Sequence, residues 1–225
     1  SARPARCSSN SRRPAGAGTL LGPEIFGDRP VATRASGALR TLPAPQREGG
    51  RPLMQALAAR RSTREFQPRP LSDQHLSDLL WAAYGVNRLN GGRTAPSALD
   101  NQEVDIYVTL PSGAYRYDAT AHRLLRVSST DVRRVTGYQD FVDEAPLDLV
   151  YVADHARMPA VPVHLRESYA SAAAGAIAQN VYLYCASAGL ATVIRAWIDR
   201  DAIADALGLP HDQQVLLSQT VGYPE

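Results

Sequence analysis

Val104-Asp-Ile-Tyr-Val-Thr-Leu-Pro-Ser-Gly-Ala-Tyr-Arg-Tyr-Asp-Ala-Thr-Ala-His-Arg-Leu-Leu-Arg-Val127 decides the fold class. Its first seven residues set Val, Ile, Val and Leu against Asp, Tyr and Thr, the period-2 pattern of a half-buried strand. Pro111-Ser112-Gly113 turns the chain back into Ala114 to Tyr117, and a second turn leads to Arg123 to Val127. Three short strands joined this way form an antiparallel meander, not a repeat of parallel βαβ units.

Helices lie on both sides of this meander in sequence. Pro52 fits a first helical turn, and Leu53, Ala56, Leu57 and Arg60 recur at helical spacing. Ser72 suits the N-cap of a second helix, whose Leu76, Leu79, Leu80 and Ala83 make one apolar stripe ending at Gly85. Leu147 to Ala153 reads as a further strand. The longest helix is expected from Arg166 to Ala188, where Ala170, Ala173, Ala174, Ile177, Val181, Tyr184, Cys185 and Ala188 keep the 3.6 period and Gly189 stops it. Its small residues from Ala170 to Ala178 allow close approach of another helix, which suits the core of a dimer. Leu190 to Ile198 is expected as a strand, Asp199 as the cap of a helix ending at Gly208, and Val215 to Val221 as the last strand. Such a mixture predicts an α+β sandwich.

Residues 1–46 differ from the rest. Ser1 to Leu21 carries Arg3, Arg6, Arg12 and Arg13 without an acid, amid Ser, Pro, Gly and Ala. A segment so poor in apolar residues cannot bury enough surface to fold alone. It is read as a flexible leader to a domain of residues 47–225, with Thr41 to Gln46 as an extended lead-in. It lacks the apolar core of a secretory signal. The location expected is cytoplasmic, or exported if Ser11-Arg12-Arg13 is the remnant of a twin-arginine signal.

All 24 basic residues are arginine, and the chain has no lysine. That excludes lysine Schiff-base chemistry and the lysine of a phosphate-binding Walker loop. A bound phosphate must be held by arginine, hydroxyls or backbone amides. A net charge of +2 is too weak to point to nucleic acid, and the longest apolar runs are too short to cross a membrane. Cys7 and Cys185 make neither a disulfide framework nor a metal site. The five histidines show no ligand spacing. No Gly-x-Ser-x-Gly elbow or Gly-x-Gly-x-x-Gly turn is present.

One cluster carries chemistry. Arg60-Arg61-Ser62-Thr63-Arg64 packs three guanidinium groups and a hydroxyl into the end of a short helix. Guanidinium forks match phosphate oxygens bidentately, and serine adds a neutral donor. The same residues would also serve as a solvated helix end that complements the helix dipole. Thr94-Ala-Pro-Ser97, taken alone, is a turn before a strand.

The chain resembles the nitroreductase-like flavoprotein family, and more closely its branch that includes azoline-oxidising peptide dehydrogenases. The resemblance rests on Ala59-Arg-Arg-Ser-Thr-Arg-Glu-Phe66, Leu79-Leu-Trp-Ala-Ala-Tyr-Gly-Val-Asn-Arg88, Arg93-Thr-Ala-Pro-Ser-Ala98 with Gln102, and Tyr115-Arg-Tyr-Asp118. It continues through Gly137-Tyr-Gln-Asp-Phe141, Gln179-Asn-Val-Tyr-Leu183, Gly189-Leu-Ala-Thr192 and Val221-Gly-Tyr-Pro224. These pieces occur in the family's order.

The resemblance implies a three-layer α+β sandwich, its central mainly antiparallel or mixed sheet flanked by helices, and an FMN-dependent oxidoreductase. It would pass hydride from a reduced nicotinamide, NADH or NADPH, to a small electrophilic acceptor of the nitroaromatic or quinone type. It also implies a homodimer with flavin between subunits. Arg60, Arg61, Ser62 and Arg64 would hold the FMN phosphate, and Pro96, Ser97 and Ala98 would line the isoalloxazine ring. Gln102 and Gln139 would approach its pyrimidine edge, and the backbone of Ile194, Arg195 and Ala196 its N5 or dimethylbenzene side. Arg195 would alternatively pair with an acid such as Asp199, and Gln179 and Asn180 suit polar bonding across a dimer.

Two departures stand out. Asp100 takes a place where many relatives have asparagine. Glu225 follows Pro224 where relatives commonly carry a basic residue that reaches the phosphate, so either the N-terminal arginines suffice or a basic tail is missing. The azoline branch is associated with a catalytic lysine and tyrosine, and this chain has no lysine. A flavin-binding protein that turns nothing over is the other alternative. No protein acid, base or metal is implied as catalytic.

Overall fold

The computed structural model describes residues 38–225. The strands are β1 (Leu39–Thr41), β2 (Phe66–Gln67), β3 (Val104–Leu110), β4 (Gly113–Asp118), β5 (Arg123–Ser128), β6 (Leu147–Asp154), β7 (Ala191–Arg195) and β8 (Gln213–Pro224). The helices are α1 (Leu53–Ala59), α2 (Asp73–Tyr84), α3 (Val163–Ala188) and α4 (Arg200–Leu207). Together the strands form one sheet in the order β1-β5-β4-β3-β6-β8-β2, with β7 beside β8. Every pairing is antiparallel. The meander read from Val104 to Val127 is therefore β3-β4-β5, in register Val108 to Tyr115 and Tyr117 to Leu124.

Alternation along β6 shows why the molecule has three layers. Leu147, Leu149, Tyr151 and Ala153 face a core made with α2 and α3. Val150 and Val152 face the opposite core, closed by Ile198, Ile203 and Leu207 at and within α4. Both faces of β6 are buried, so it reads as a nearly continuous apolar run. β8 is the hub of the sheet. One edge pairs with β6 from Gln213 to Val221, and the other takes β7 at Ser218 to Gly222 and β2 at Tyr223 and Pro224.

The helix ends follow local chemistry. Ser72 caps α2 by accepting from the His75 N–H, and Asp199 caps α4 by accepting from Ala202 N–H. Gly189 and Gly208 close α3 and α4 in the left-handed region, φ 72° and 63°, where a side chain would be strained. α3 starts at Val163, three residues before the expected Arg166, because Pro162 occupies the N-cap with a φ of −53° that already suits the helix.

The expected boundary at residues 46 and 47 falls inside the sheet domain. Leu39–Thr41 pairs with β5 and Leu42 is buried. The Ser77 Oγ donates to Pro43 O at 2.6 Å, and Gln46 N–H donates to Asp78 Oδ1 at 2.7 Å. Residues 39–46 are thus fastened to β5 and α2 rather than belonging to a leader. Residues 1–37, including the candidate signal remnant, lie outside the described residues.

A second correction concerns α3. Ala174 and Ala178 are buried inside this chain, and so do not supply the close approach expected of them toward another copy. Between Ala170 and Asn180 the exposed residues are Ser171, Ala172, Gly175 and Gln179. Asn180 is also turned inward, its Nδ2 donating to Ala83 O and Thr94 O at 3.4 and 3.3 Å.

Candidate functional site

α1 ends at Ala59, and Arg60 leaves the helix with φ −57° and ψ 125°, after which the chain meets α3 at Ser62 and β7 at Thr63. Two contacts fix this path. Thr63 N–H donates to Thr192 O of β7 at 3.0 Å. Ser62 Oγ lies 2.8 Å from Tyr182 OH, 120 residues away in sequence. The Tyr182 hydroxyl also accepts from Ile194 N–H at 3.0 Å. It ties the arginine segment, α3 and β7 together.

Beside this knot lies a cavity of about 400 Å³. It is lined by Arg51, Arg60, Arg61 and Thr63, by Tyr182 and Cys185 of α3, and by Gly189 to Thr192 where α3 passes into β7. No aspartate or glutamate is among its walls. Arg60 holds its guanidinium 5.3 Å from the centre of the Tyr182 ring, a cation–π distance. Among the described residues, no carboxylate lies within ion-pair distance of Arg51, Arg60, Arg61 or Arg64. The cavity is cationic and its positive charge is unspent. Burial pushes the Cys185 thiol well above its usual range, so the sulfur here is apolar packing and not a nucleophile.

Of the residues expected to bind phosphate, Arg60 and Arg61 line the cavity. Ser62 is exposed, its hydroxyl engaged by Tyr182, and both it and Arg64 lie outside the lining. Pro96, Ser97, Ala98, Gln102, Gln139, Ile194, Arg195 and Ala196 are not among its walls. The chain alone does not bring the two halves of the expected site into one cavity.

The segment from Pro96 to Gln102 is a loop under strain. Leu99, Asp100 and Gln102 all have positive φ, at 55°, 53° and 49°, and such conformations cost of order 1–3 kcal/mol each. Compensating bonds are present. Ser97 Oγ donates to Glu103 Oε2 at 2.6 Å and accepts from Gln102 N–H at 2.8 Å. Gln102 Oε1 accepts from Arg93 Nε at 2.9 Å, and its carbonyl accepts from Arg157 Nη1 at 2.6 Å. Ser97 and Gln102 are therefore held by this chain, while Leu99 projects 71% exposed from the tip. Asp100 accepts a hydrogen bond from Gln102 Nε2 at 3.2 Å.

Gln139 and Arg195 meet around Gly137, whereas Ile194 packs toward α3, its N–H on the Tyr182 hydroxyl. The Arg195 side chain turns inward and pairs with Asp148, Nη2 to Oδ1 at 2.7 Å, with both side chains buried. Asp199, the sequence-level candidate for its partner, is the cap of α4 instead. Space for the guanidinium exists because residue 137 is glycine. A Cβ there would stand 2.1 Å from Arg195 Nη1 and 2.9 Å from Gln139 Oε1.

Sequence reasoning missed Tyr182, Thr192 and Glu103. Tyr182 carried a signal, since it follows Ala178 by four and precedes Cys185 by three on the buried stripe of α3. Glu103 had none, being a carboxylate fully buried at the mouth of an apolar strand. Among the described residues no group of His, Cys, Asp and Glu is placed to hold a metal ion, and no helix is long and apolar enough to cross a membrane.

Comparison with known proteins gives this geometry a context. The sequence model of the Nitroreductase family matches residues 57–223. A Methanocaldococcus jannaschii protein that carries a nitroreductase name is 34% identical over 160 residues, spanning 66% of this chain and 81% of that one. A crystal structure of a Ralstonia eutropha protein, also named as a nitroreductase, superposes with a TM-score of 0.81 at 53% identity, covering 85% of this chain and 91% of that one. The NADPH:FMN oxidoreductase of Vibrio harveyi, solved with NAD+, shares the fold at a TM-score of 0.59 and 22% identity, over 77% of this chain and 69% of that one.

Proposed function

The chain belongs to the nitroreductase family of oxidoreductases, and from that premise we propose that it is an FMN-dependent enzyme. In this reading it passes hydride from a reduced nicotinamide to a small electrophilic acceptor of the nitroaromatic or quinone type. The observation that carries the cofactor is the cavity walled by Arg51, Arg60 and Arg61 with no carboxylate among its walls. Unpaired guanidinium groups facing a cavity suit a phosphate dianion, which they bind by charge-assisted and bidentate hydrogen bonds. FMN, when bound, supplies the redox chemistry itself. The protein's part is to hold and orient it: Arg60 and Arg61 at the phosphate, with Tyr182 and Thr63 keeping their segment in place. The backbone of Pro96 to Ala98 and of Ile194 to Ala196 would lie along the ring system, and Gln102 and Gln139 near its polar edge.

The same reading includes a homodimer. Leu53, Met54 and Leu57 of α1 are 62%, 74% and 43% exposed. The outward face of α3 is open as well, since a Cβ at Gly175 would meet nothing within 4 Å. In this reading a second copy covers the apolar residues of α1 and brings its own 96–98 loop to the arginine cavity, completing a site that one chain leaves in two parts. The likeness to the azoline-oxidising branch rests on the quoted motifs. The absence of lysine directs the chemistry toward diffusible acceptors and away from peptide azolines. A cytoplasmic enzyme drawing on the nicotinamide pool fits this reading.

The deciding experiment is an absorbance spectrum of the purified chain, followed by titration with FMN monitored through flavin fluorescence. The expected result is about one FMN per chain. A protein that neither carries flavin nor quenches added FMN would overturn the reading.

A further inference from the structure

Tyr138 and Trp197 stand out among the exposed residues. They come from separate parts of the chain, the turn before Gln139 and the segment after Ala196, yet their rings meet at 5.3 Å between centroids with a 48° tilt. Trp197 is 74% exposed and Tyr138 50% exposed. Two large rings left this open forgo burial that either would gain by turning inward. Both are held at their roots. Arg200 Nη2 donates to Ala196 O at 3.3 Å and to Leu216 O at 3.1 Å, and Arg134 Nη1 donates to Gln139 O at 3.1 Å. Arg195, sunk in its pair with Asp148 over Gly137, joins the two segments beneath the rings.

We propose that Tyr138 and Trp197 form a stacking platform for a planar, electron-poor aromatic ring, the acceptor whose class the preceding reading names. Indole and phenol faces are rich in π density, so nitro- and quinone-bearing rings, which are poor in it, complement them better than an aliphatic group does. The pair adjoins Gln139 and Ala196, two of the positions given to the flavin, so a ring resting there stands next to the reacting centre in that reading. The inference depends on it only for this last step; ring binding itself does not require flavin.

The test uses the two tryptophans of the chain. Their indole N–H groups give two resonances, and Trp81, whose Nε1 donates to Val86 O at 3.1 Å, is the internal control. Titration of the full chain with 4-nitrobenzyl alcohol, as purified and again with added FMN, should shift the Trp197 resonance to saturation and leave that of Trp81 in place. Tyr138→Leu should weaken the Kd roughly two- to tenfold, the range of one aromatic pair, with FMN affinity at the parent level. Trp197→Ala should weaken 4-nitrobenzyl alcohol binding, followed by ligand-observed saturation transfer, and Trp197→Phe should restore part of it. An unmoved Trp197 resonance, or a Tyr138→Leu variant that binds the probe like the parent, overturns the platform. So does a Trp197→Ala variant that changes the size of the particle in light scattering, since the rings are then covered by a second copy. Failure to bind FMN alongside normal probe binding would sink the flavin reading and leave the platform standing.

Discussion

Arg195 and Asp148 form an ion pair in the interior, with 4% and 0% of their side chains exposed. Arg195 Nη2 also donates to Thr136 Oγ1, and Thr220 Oγ1 donates to the same Asp148 oxygen. The pair joins β6, β7 and β8 at the level where Gln139 and the 194–196 segment meet. Removing one member of a buried pair leaves an uncompensated charge, at a cost of about 3–5 kcal/mol. Arg195→Leu should therefore lower stability by about that amount, read from urea midpoints. The double variant Arg195→Leu, Asp148→Leu should recover much of it. If the single change proves as stable as the parent, the pair contributes nothing to holding the strands.

The same pair sets a pH dependence of unusual sign. Burial pushes the Asp148 carboxyl up to about 6, against the pull of Arg195 and of the hydroxyls of Thr220 and Thr136. A carboxyl with a folded value above its ordinary 3.8 keeps its proton to higher pH in the native state than in the unfolded chain. The native state thus gains from this group as pH falls through 6, and loses the gain as pH rises. Asp148→Asn abolishes the titration. The stability of the parent relative to Asp148→Asn should rise when urea unfolding is moved from pH 7 to pH 5. A difference that falls on acidification would show that Arg195 dominates and that the carboxyl is ionised throughout.

What the sequence made legible was whatever rests on local periodicity and capping. Ser72, Asp199, Gly189 and Gly208 mark helix ends because each solves a backbone hydrogen-bonding or φ requirement within a few residues. The β3-β4-β5 meander was legible for the same reason, its register set by two short turns. β1 and β2 were not, being three and two residues long and defined by distant partners, Leu125 for Leu39 and Pro224 for Phe66. The site divides along the same line. The arginines of residues 60–64 are contiguous and could be read, whereas Tyr182 and Thr192 reach the cavity only through the packing of α3 and β7. The inward turn of Arg195 depends on Asp148, 47 residues away, and on the bare Cα of Gly137.

Residues 39–46 supply a direct test of the domain boundary. Leu42 is 6% exposed, Gln74 Nε2 donates to Ala44 O at 3.0 Å, and the bonds from Ser77 and to Asp78 clamp the segment onto α2. Leu42→Ala should cost about 2–5 kcal/mol, as for other large-to-small core changes. Deleting residues 1–46 should lower the melting temperature by at least as much as this single change. A truncated protein that melts with the parent would show that the segment is ornamental and that the domain begins near Pro52.

Tyr182→Phe removes one oxygen and nothing else. That oxygen accepts from Ile194 N–H and meets Ser62 Oγ, so its loss leaves an inner donor without a partner, at about 1–3 kcal/mol. The ring survives, and with it the cation–π contact to Arg60. The expected outcome is a lower melting temperature with FMN affinity reduced only a few-fold, because the arginines stay in reach. A loss of FMN binding far beyond the loss of stability would mean that the hydroxyl itself touches the cofactor.

Arg61→Ala gives the sharpest separation of binding from folding. Arg61 lines the cavity, is exposed, and has no ion pair among the described residues, so its removal costs the apo-protein little. In the proposed complex it makes charge-assisted hydrogen bonds to phosphate, and losing these costs about 1.5–3 kcal/mol. That corresponds to a roughly ten- to hundredfold rise in the FMN dissociation constant. Arg60→Ala should behave similarly, with an added loss from the Tyr182 ring. Arg64→Ala should matter less, since Arg64 lies outside the lining. Lysine at 61 should restore affinity only in part, because an ammonium cannot make the two-pronged contact. The comparison is FMN dissociation constant against apo-protein melting temperature for each variant. Should Arg60→Ala and Arg61→Ala both bind FMN like the parent, the arginine segment is a solvated helix end and the phosphate is held elsewhere.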